Sequence, residues 1–176
     1  MISVKTLFRY VVYVVLPPRR YARFIGVSIG ERCLISTKQW GSEPYLIEIG
    51  DDVHVSRGVR FINHDGGVWI FRKENPNFDI FGKIRIGNNC YIGNHAIILP
   101  GVTIGNRCVI GANSVVTKCV PDNSVVAGNP ARLVSTVEQY YQKASLLNTE
   151  LKNDVEKKQK LLRLDESRFI VKGRLS

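Results

Sequence analysis

The stretch that decides the fold runs from Ile86 to Pro121 and reads IGNNCY-IGNHAI-ILPGVT-IGNRCV-IGANSV-VTKCVP. It divides into six words of six residues, and each word opens on Ile or Val and carries a small or β-branched residue in fifth place. A period of six fits neither an amphipathic helix nor a half-buried strand. It predicts a chain that turns a corner every six residues and points one aliphatic side chain inward on each flat side. Such a short repeat is typical of an all-β solenoid, in which each turn buries its apolar face on the next.

The words continue upstream, but less regularly. Those that begin at Ile49, Val55 and Phe61 are in phase with one another, whereas residues 41–47 slip the register. Between Gly66 and Gly82 the pattern disappears into a segment rich in aromatic residues. We interpret residues 65–82 as an excursion loop that leaves one corner of the solenoid and that contacts either its own subunit or a neighbouring one.

Composition limits the classes of function. A chain of 176 residues that is 44% hydrophobic forms one domain with enough core to fold. Three of its four cysteines occupy the small fifth place of a word, which favours buried thiols over disulfides. The net charge of +10 raises the question of nucleic acid, but no aromatic-basic motif accompanies it, so we expect no nucleic-acid binding. A polyphosphorylated cofactor or an anionic glycan explains the basic excess equally well.

The N-terminus leaves two interpretations open. Residues 7–16 are apolar except for Arg9 and end at a Pro-Pro pair, which makes the run too short to span a bilayer. It packs either as a cap on the first turn or as a membrane-surface anchor, because residues 1–23 carry five cations and no acid. We expect a cytoplasmic protein, with peripheral contact to the inner face of the membrane under the second interpretation.

The C-terminal residues lose the six-residue phase. Leu147, Leu151, Val155 and Leu162 fall near one helical stripe, which predicts a C-terminal helix. The predicted division is therefore an N-terminal helical cap (1–24), a solenoid catalytic domain (25–134) and a C-terminal helical tail (135–176).

One histidine stands out as a candidate catalytic residue. His64 lies where the solenoid breaks into its excursion loop, with Asn63 and Asp65 beside it to orient the ring and contact substrate. Histidine is the usual side chain for removing a proton near neutral pH. We interpret His54 as a surface residue and His95 as structural or cleft-lining. The three histidines are 10 and 31 residues apart, so no closely spaced pair offers a zinc site and we expect no metal.

A second candidate site follows the last regular words. Thr117 and Lys118 offer a hydroxyl and an ammonium group at one corner, and Arg132 follows shortly after Pro130. Separated cations suit a long ligand with several phosphates, whereas the alternative is simple capping of the last turn by prolines.

These motifs resemble a known family. Asn63-His64, Pro100-Gly-Val-Thr-Ile-Gly105, Val116-Thr-Lys118 and Ala127-Gly-Asn-Pro-Ala-Arg132 are similar, in this order, to those of the hexapeptide-repeat acyltransferases, in the branch of maltose, galactoside, nodulation-factor and streptogramin O-acetyltransferases. The resemblance covers residues 47–132. It implies a left-handed parallel β-helix with three words per coil, a homotrimer with active sites between subunits, and acetyl-CoA as donor.

The resemblance also implies roles for single residues. His64 falls at the catalytic base, and the contacts to CoA fall at Asn94, Ala112, Thr117, Lys118 and Arg132. Many members have Trp where this chain has Tyr91, so packing against the cofactor differs there.

The function that follows is transfer of an acetyl group from acetyl-CoA directly to a sugar hydroxyl, with surface polysaccharide such as capsule or lipopolysaccharide as the expected acceptor. An N-acetyltransferase acting on an amino sugar or nucleotide-sugar is the nearest alternative. An antibiotic acetyltransferase and a non-catalytic solenoid that only binds a partner are further ones.

Overall fold

The computed structural model describes residues 4–170, and residues 1–3 and 171–176 of the predicted terminal segments lie outside that range. The helices of the described part are α1 (Val4–Val15), α2 (Pro18–Phe24), α3 (Val137–Ser145) and α4 (Lys157–Leu162), with 3-10 turns at Pro44–Leu46, Gly66–Phe71 and Glu166–Arg168. Its strands are β1 (Ser28–Ile29), β2 (Leu34–Ile35), β3 (Ile47–Ile49), β4 (His54–Val55), β5 (Arg60–Phe61), β6 (Ile84–Ile86), β7 (Tyr91–Ile92), β8 (Ile97–Ile98), β9 (Thr103–Ile104), β10 (Val109–Ile110), β11 (Val115–Val116), β12 (Ser124–Gly128) and β13 (Ala131–Thr136). No helix within residues 4–170 is both long and apolar enough to cross a bilayer.

From β3 to β11, successive strands belong to three sheets in rotation. The sheet orders are β1-β3-β6-β9, β13-β12-β10-β7-β4-β2 and β11-β8-β5. Ile86 is paired in parallel with Ile104, eighteen residues later, and the same offset pairs Ile92 with Ile110. Among the strands of residues 4–170, β13 alone runs antiparallel to its neighbour. The predicted six-residue words are therefore the sides of a three-sided parallel coil.

The interior of this coil is built from the residues that open each word. The six aliphatic residues that open the words of the 86–121 stretch are each at most 4% exposed. Burial of one such side chain stabilises the fold by about 1.5–3 kcal/mol. In the less regular coils upstream, Trp40 and Phe61 stack with ring centroids 4.8 Å apart.

The corners are held by side-chain amides and carboxylates in the third place of the word. The Asn88 side chain accepts a hydrogen bond from Asp51 N, Asn106 from Asn88 N, and Asp122 from Asn106 N, each at 2.8 Å. Positive φ falls one place later, as at Asn89 (φ 55°). Gly87 has another role, because a Cβ there would lie 2.8 Å from the next coil. The glycines in the second place of the words therefore permit close approach of the coils, while the turn conformation is carried by the fourth place.

Two interruptions of the coil lie next to each other. The register slip at residues 41–47 contains the 3-10 turn Pro44–Leu46. The excursion after β5 leaves and returns at one point, because Asp65 N donates to Ile80 O and Gly82 N donates to Asn63 O, both at 2.9 Å. The chain is thus pinched together at the base of the loop.

The chain divides into two compact units, one up to Val137 and one from Glu138. The C-terminal helix predicted from Leu147, Leu151, Val155 and Leu162 is divided into two short helices, because Leu147, Leu151 and Val155 lie between α3 and α4. The reason is local. Asn148 and Asp154 each accept a hydrogen bond from the backbone N–H two residues on, which competes with helical hydrogen bonding.

Candidate active site

His64 lies at the base of the excursion loop. It is paired with Phe81 in an isolated antiparallel bridge, so the strand that leaves the coil and the strand that returns hold its backbone from both sides. Its side chain is 38% exposed. The backbone of His64 is therefore held in place while its imidazole ring is accessible, as a proton-transfer group requires.

Two residues from the register slip bind one nitrogen of this ring. Nδ1 of His64 lies 2.9 Å from Ser42 Oγ and 3.1 Å from Glu43 Oε2, and Ser42 Oγ donates to the same Glu43 oxygen at 3.0 Å. Because the carboxylate only accepts, it favours the tautomer with its proton on Nδ1. Nε2 then carries the lone pair, and it has no hydrogen-bond partner among the described residues.

Within residues 4–170, the side-chain hydrogen bonds of Asn63 and Asp65 go to the backbone and not to the imidazole, and their predicted role in orienting the ring or contacting substrate stays a prediction. Asn63 is fully buried, and its amide donates to the carbonyl oxygens of Trp40 (3.3 Å) and Glu43 (2.6 Å). Asp65 accepts from Gly67 N at 2.9 Å and so caps the 3-10 turn of the loop. Asn63 therefore acts on the loop that presents Glu43 rather than on the imidazole.

A cavity of about 420 Å³ opens beside His64. Asp65 and Ile80 of the excursion contribute one side, and Leu99 and Thr117 of later coils contribute the other. The wall is mixed, with one imidazole, one carboxylate and aliphatic side chains. It can hold a small polar molecule against the imidazole.

A second cavity of about 220 Å³ adjoins this one through Thr117, which lines both. It is lined by Lys118 and Arg132 and has largely apolar walls, among them Val126 and Leu133. Arg132 is brought there because β13 folds back on β12, with Arg132 opposite Ala127. The three residues that the sequence singled out near the last turns thus surround a single cavity. Cys119, to which sequence reasoning assigned no role, also lines it.

Asn94 and Ala112 form a separate group at another corner. Asn113 N donates to Asn94 O at 2.9 Å, and a Cβ at Gly93 would lie 2.6 Å from Ala112 N, so the two coils are stacked tightly there. Asn94 lines a wide cavity of about 540 Å³ with Tyr91 and Arg57. The five predicted cofactor contacts are therefore divided between two corners of the coil.

The other two histidines differ from His64. His54 is half-buried and meets the Tyr91 ring edge-on, with centroids 5.2 Å apart. His95 is exposed and has a φ of 59°, and its ring lies so close to Gly58 that a Cβ there would be 2.3 Å from Nδ1. His54 also lines the cavity of Asn94 and Tyr91, whereas His95 is accounted for by packing.

The sequence pattern did not identify Ser42 and Glu43 as residues of the site. The signal that could have found them is the register slip itself, since it lies one coil before the second break at His64. Two irregular segments at matching positions on successive coils must meet in space.

Comparison with known proteins agrees with this architecture. The bacterial transferase hexapeptide family (six repeats) matches residues 83–118. Protein CapG of Staphylococcus aureus is 56% identical over 124 residues, which are 69% of this chain and 72% of that protein. The chain belongs to the hexapeptide-repeat acyltransferases.

Further members of this acyltransferase family are also similar to the chain. The galactoside O-acetyltransferase of Escherichia coli (strain K12) is 35% identical over 131 residues, which are 72% of the chain and 64% of that enzyme. A structure of galactoside acetyltransferase in complex with coenzyme A superposes with a TM-score of 0.63 at 27% identity, and the match covers 77% of this chain and 80% of that one. The similarity to this acyltransferase structure extends well beyond the repeats.

Proposed function

We propose that this acyltransferase uses acetyl-CoA to acetylate a sugar hydroxyl, with His64 as general base. The observation that supports the proposal is that only one nitrogen of the imidazole, Nδ1, has hydrogen-bond partners among the described residues. Glu43 and Ser42 occupy Nδ1, while Nε2 is left without a partner among the described residues and beside a cavity. A non-catalytic solenoid that only binds a partner does not require a histidine with this arrangement of hydrogen bonds.

The proposed reaction is a direct transfer. His64 Nε2 removes the proton of the acceptor hydroxyl while that oxygen attacks the thioester carbonyl carbon. Glu43, 3.1 Å from Nδ1, stabilises the imidazolium that forms. When the C–S bond breaks, the imidazolium returns its proton to the sulfur of the departing thiolate. No acyl-cysteine is invoked, because Cys33, Cys90 and Cys108 are buried and the exposed Cys119 does not line the cavity of His64.

The donor set around the second cavity fits the phosphates of acetyl-CoA. Lys118 and Arg132 are exposed cations on either side of that cavity, and Thr117 connects it to the cavity of His64. A chain of phosphates along Lys118 and Arg132 would bring the thioester end toward Thr117 and then toward the imidazole. Charge-assisted hydrogen bonds from these cations favour an anionic ligand.

Asn94 and Ala112 lie at a different corner, and this supports the homotrimer. In a trimer of left-handed coils, as the resemblance implies, one subunit would supply Thr117, Lys118 and Arg132, and a neighbour would supply Asn94 and the backbone of Ala112. We propose that residues 25–134 form the catalytic domain of each subunit. This domain would act in the cytoplasm and would need no metal.

For the acceptor we propose a hydroxyl of a surface-polysaccharide unit. The similarity to an enzyme named galactoside O-acetyltransferase favours sugar oxygen over nitrogen. The net charge of +10 favours anionic glycans and their nucleotide-linked precursors. Asp65, which lines the cavity beside His64, is placed to accept a hydrogen bond from a second sugar hydroxyl.

Release of the free CoA thiol over a panel of sugars and matching amino sugars tests the proposal. His64→Ala should lower kcat by about 10² to 10⁴, the usual contribution of a general base, and leave the Kd for CoA unchanged. The matched control is His95→Asn, because Asn tolerates the positive φ at that position. Full activity of His64→Ala contradicts the assignment of the base, and release only with amino sugars contradicts the choice of a hydroxyl.

A further inference from the structure

Helix α1 presents an uninterrupted apolar stripe to the outside. Leu7, Tyr10, Val11, Val14 and Val15 lie on one side of it at the spacing of helical turns, and they are 48–70% exposed. Exposed apolar residues are normal when scattered singly, but a contiguous stripe marks an interaction surface. We call these five residues the α1 stripe.

Two aromatic side chains outside the stripe, Phe8 and Tyr13, attach α1 to the rest of the chain. The Phe8 ring meets Phe24 edge-on with centroids 6.4 Å apart, and Tyr13 meets Tyr21 in the same way at 5.3 Å. Lys38 donates to Tyr13 O near the C-terminal end of the helix and lies 5.0 Å from the Tyr13 ring centroid. These contacts hold the helix on the rest of the chain and leave the α1 stripe exposed.

The surroundings of the stripe are strongly basic. Residues 1–38 contain seven Lys or Arg and one acid, Glu31, which gives a net charge of +6. Glu31 is already engaged by Arg19 and Arg23 at 3.3 and 3.2 Å, and these guanidinium groups, Arg23 foremost, lower its pKa. Arg9 and Arg20 have no salt-bridge partner within residues 4–170.

We infer that the α1 stripe docks on the surface of an anionic lipid bilayer. A second copy of the chain would bring an identical basic surface against the first, and this like-charge contact opposes self-association. Anionic lipid offers both an apolar layer for the stripe and negative headgroups for the cations.

The dimensions of α1 make it lie along the bilayer. A helix of 12 residues is about 18 Å long, shorter than the hydrocarbon core of about 30 Å. An amphipathic helix in the plane of the interface buries its apolar side among the acyl chains and leaves its polar surroundings at the headgroups. The inference does not depend on the proposed chemistry.

Flotation of the purified full-length chain with vesicles tests this inference. Vesicles of phosphatidylcholine with phosphatidylglycerol should carry the chain upward, whereas phosphatidylcholine alone or high salt should not, because salt screens the headgroup attraction. Tyr10→Glu with Val14→Glu should lower the bound fraction at least about tenfold, since two apolar contacts are replaced by charges. A chain that stays in the bottom fraction with both lipids overturns the inference.

Matched variants separate the stripe and the charge from general effects. Leu146→Glu changes an equally exposed apolar residue elsewhere and should float like the wild type. Arg20→Glu should weaken binding about fivefold, and the control Lys73→Glu in the excursion loop should not. Tyr10→Ser with Val14→Ser, which adds no charge, should also lose binding if the double Glu variant unfolds.

Two outcomes of these variants would contradict the inference. Equal flotation of the wild type and both double variants would show that the stripe is not the contact. A fall in oligomeric mass of the double variants with unchanged flotation would assign the stripe to a contact between copies.

Discussion

The carboxylate of Glu43 lies 3.1 Å from Nδ1 of His64, although 21 residues separate them in the sequence. The side chain of Glu43 is only 17% exposed, and Ser42 donates to the same carboxylate oxygen. A half-buried carboxylate at this distance orients the imidazole and favours its protonated form during proton transfer. Loss of the Glu43 carboxylate should therefore slow the proton transfer.

Glu43→Gln should lower kcat about ten- to a hundredfold, with little change in the KM for acetyl-CoA. The expected loss is smaller than that for removing the base, about 10² to 10⁴, because Ser42 Oγ remains as an acceptor for Nδ1–H. The matched control is Glu48→Gln, whose carboxylate pairs with Arg85 on the outer surface and should leave kcat unchanged. Steady-state kinetics of thiol release measure both, and wild-type kcat in Glu43→Gln would show that the carboxylate has no part in the reaction.

Asn63→Ala should destabilise the fold by about 2–4 kcal/mol in the free energy of unfolding, since it leaves two carbonyl oxygens near a buried position without their donor. Activity should fall as well, because the amide holds the backbone of Glu43. Urea denaturation measures the first effect, and the exposed Asn77→Ala is the control, with a change within about 0.5 kcal/mol. Equal stability of Asn63→Ala and the wild type would mean that water replaces the amide.

The six-residue words of the sequence predict most of the fold. Their period, their buried opening residues and their small fifth residues lead directly to three parallel sheets, because burial repeats with the backbone. The C-terminal unit could not be predicted in this way. Leu147, Leu151 and Val155 have helical spacing, but Asn148 and Asp154 use their side chains to end or start turns between them. Spacing alone does not contain that local competition.

The candidate site was predictable in part, for the same reason. His64, Thr117, Lys118 and Arg132 are visible as departures from a regular pattern, and the structure brings them to two adjoining cavities. The register slip at residues 41–47 marks the segment of Ser42 and Glu43, but it does not indicate which of its side chains contact His64. Their contact with His64 depends on how the slip at residues 41–47 and the excursion fit against each other, which is a tertiary property.

Lys118→Ala should raise the Kd for CoA about tenfold while leaving the kcat of the bound complex nearly unchanged. An exposed ammonium that meets a phosphate contributes on the order of 1.4 kcal/mol, which is one factor of ten. Arg132→Ala should act in the same direction, and added salt should weaken wild-type binding more than that of either variant. Calorimetric titration with CoA checks this, with Lys73→Ala in the excursion loop as control. Unchanged Kd values in both variants would remove the second cavity from the donor site.

Acid should weaken the corner ladder through Asp122. Hydrogen bonds from the backbone and then the side chain of Asn106 hold the pKa of Asp122 below its ordinary value. The stabilisation is therefore present above the unfolded-state pKa and is lost as the pH falls through the lower folded-state pKa. Asp122→Asn keeps the acceptor oxygen, as Asn88 and Asn106 do in the same ladder, but it does not titrate.

Thermal unfolding near neutral pH and at about pH 3 separates these effects. The midpoint temperature of Asp122→Asn should equal that of the wild type near neutral pH. In acid, the midpoint temperature of the variant should fall less than that of the wild type. Asp122→Ala should be less stable at both values, because Asn106 N then lacks its acceptor. The control Glu74→Gln, in the excursion loop, should follow the wild type. Some acid sensitivity remains in every variant, since the pKa values of Glu31 and Asp52 are lowered as well, by their arginine partners. If Asp122→Asn and the wild type lost stability in parallel, the ladder would hold the coils together without any contribution from the charge of Asp122.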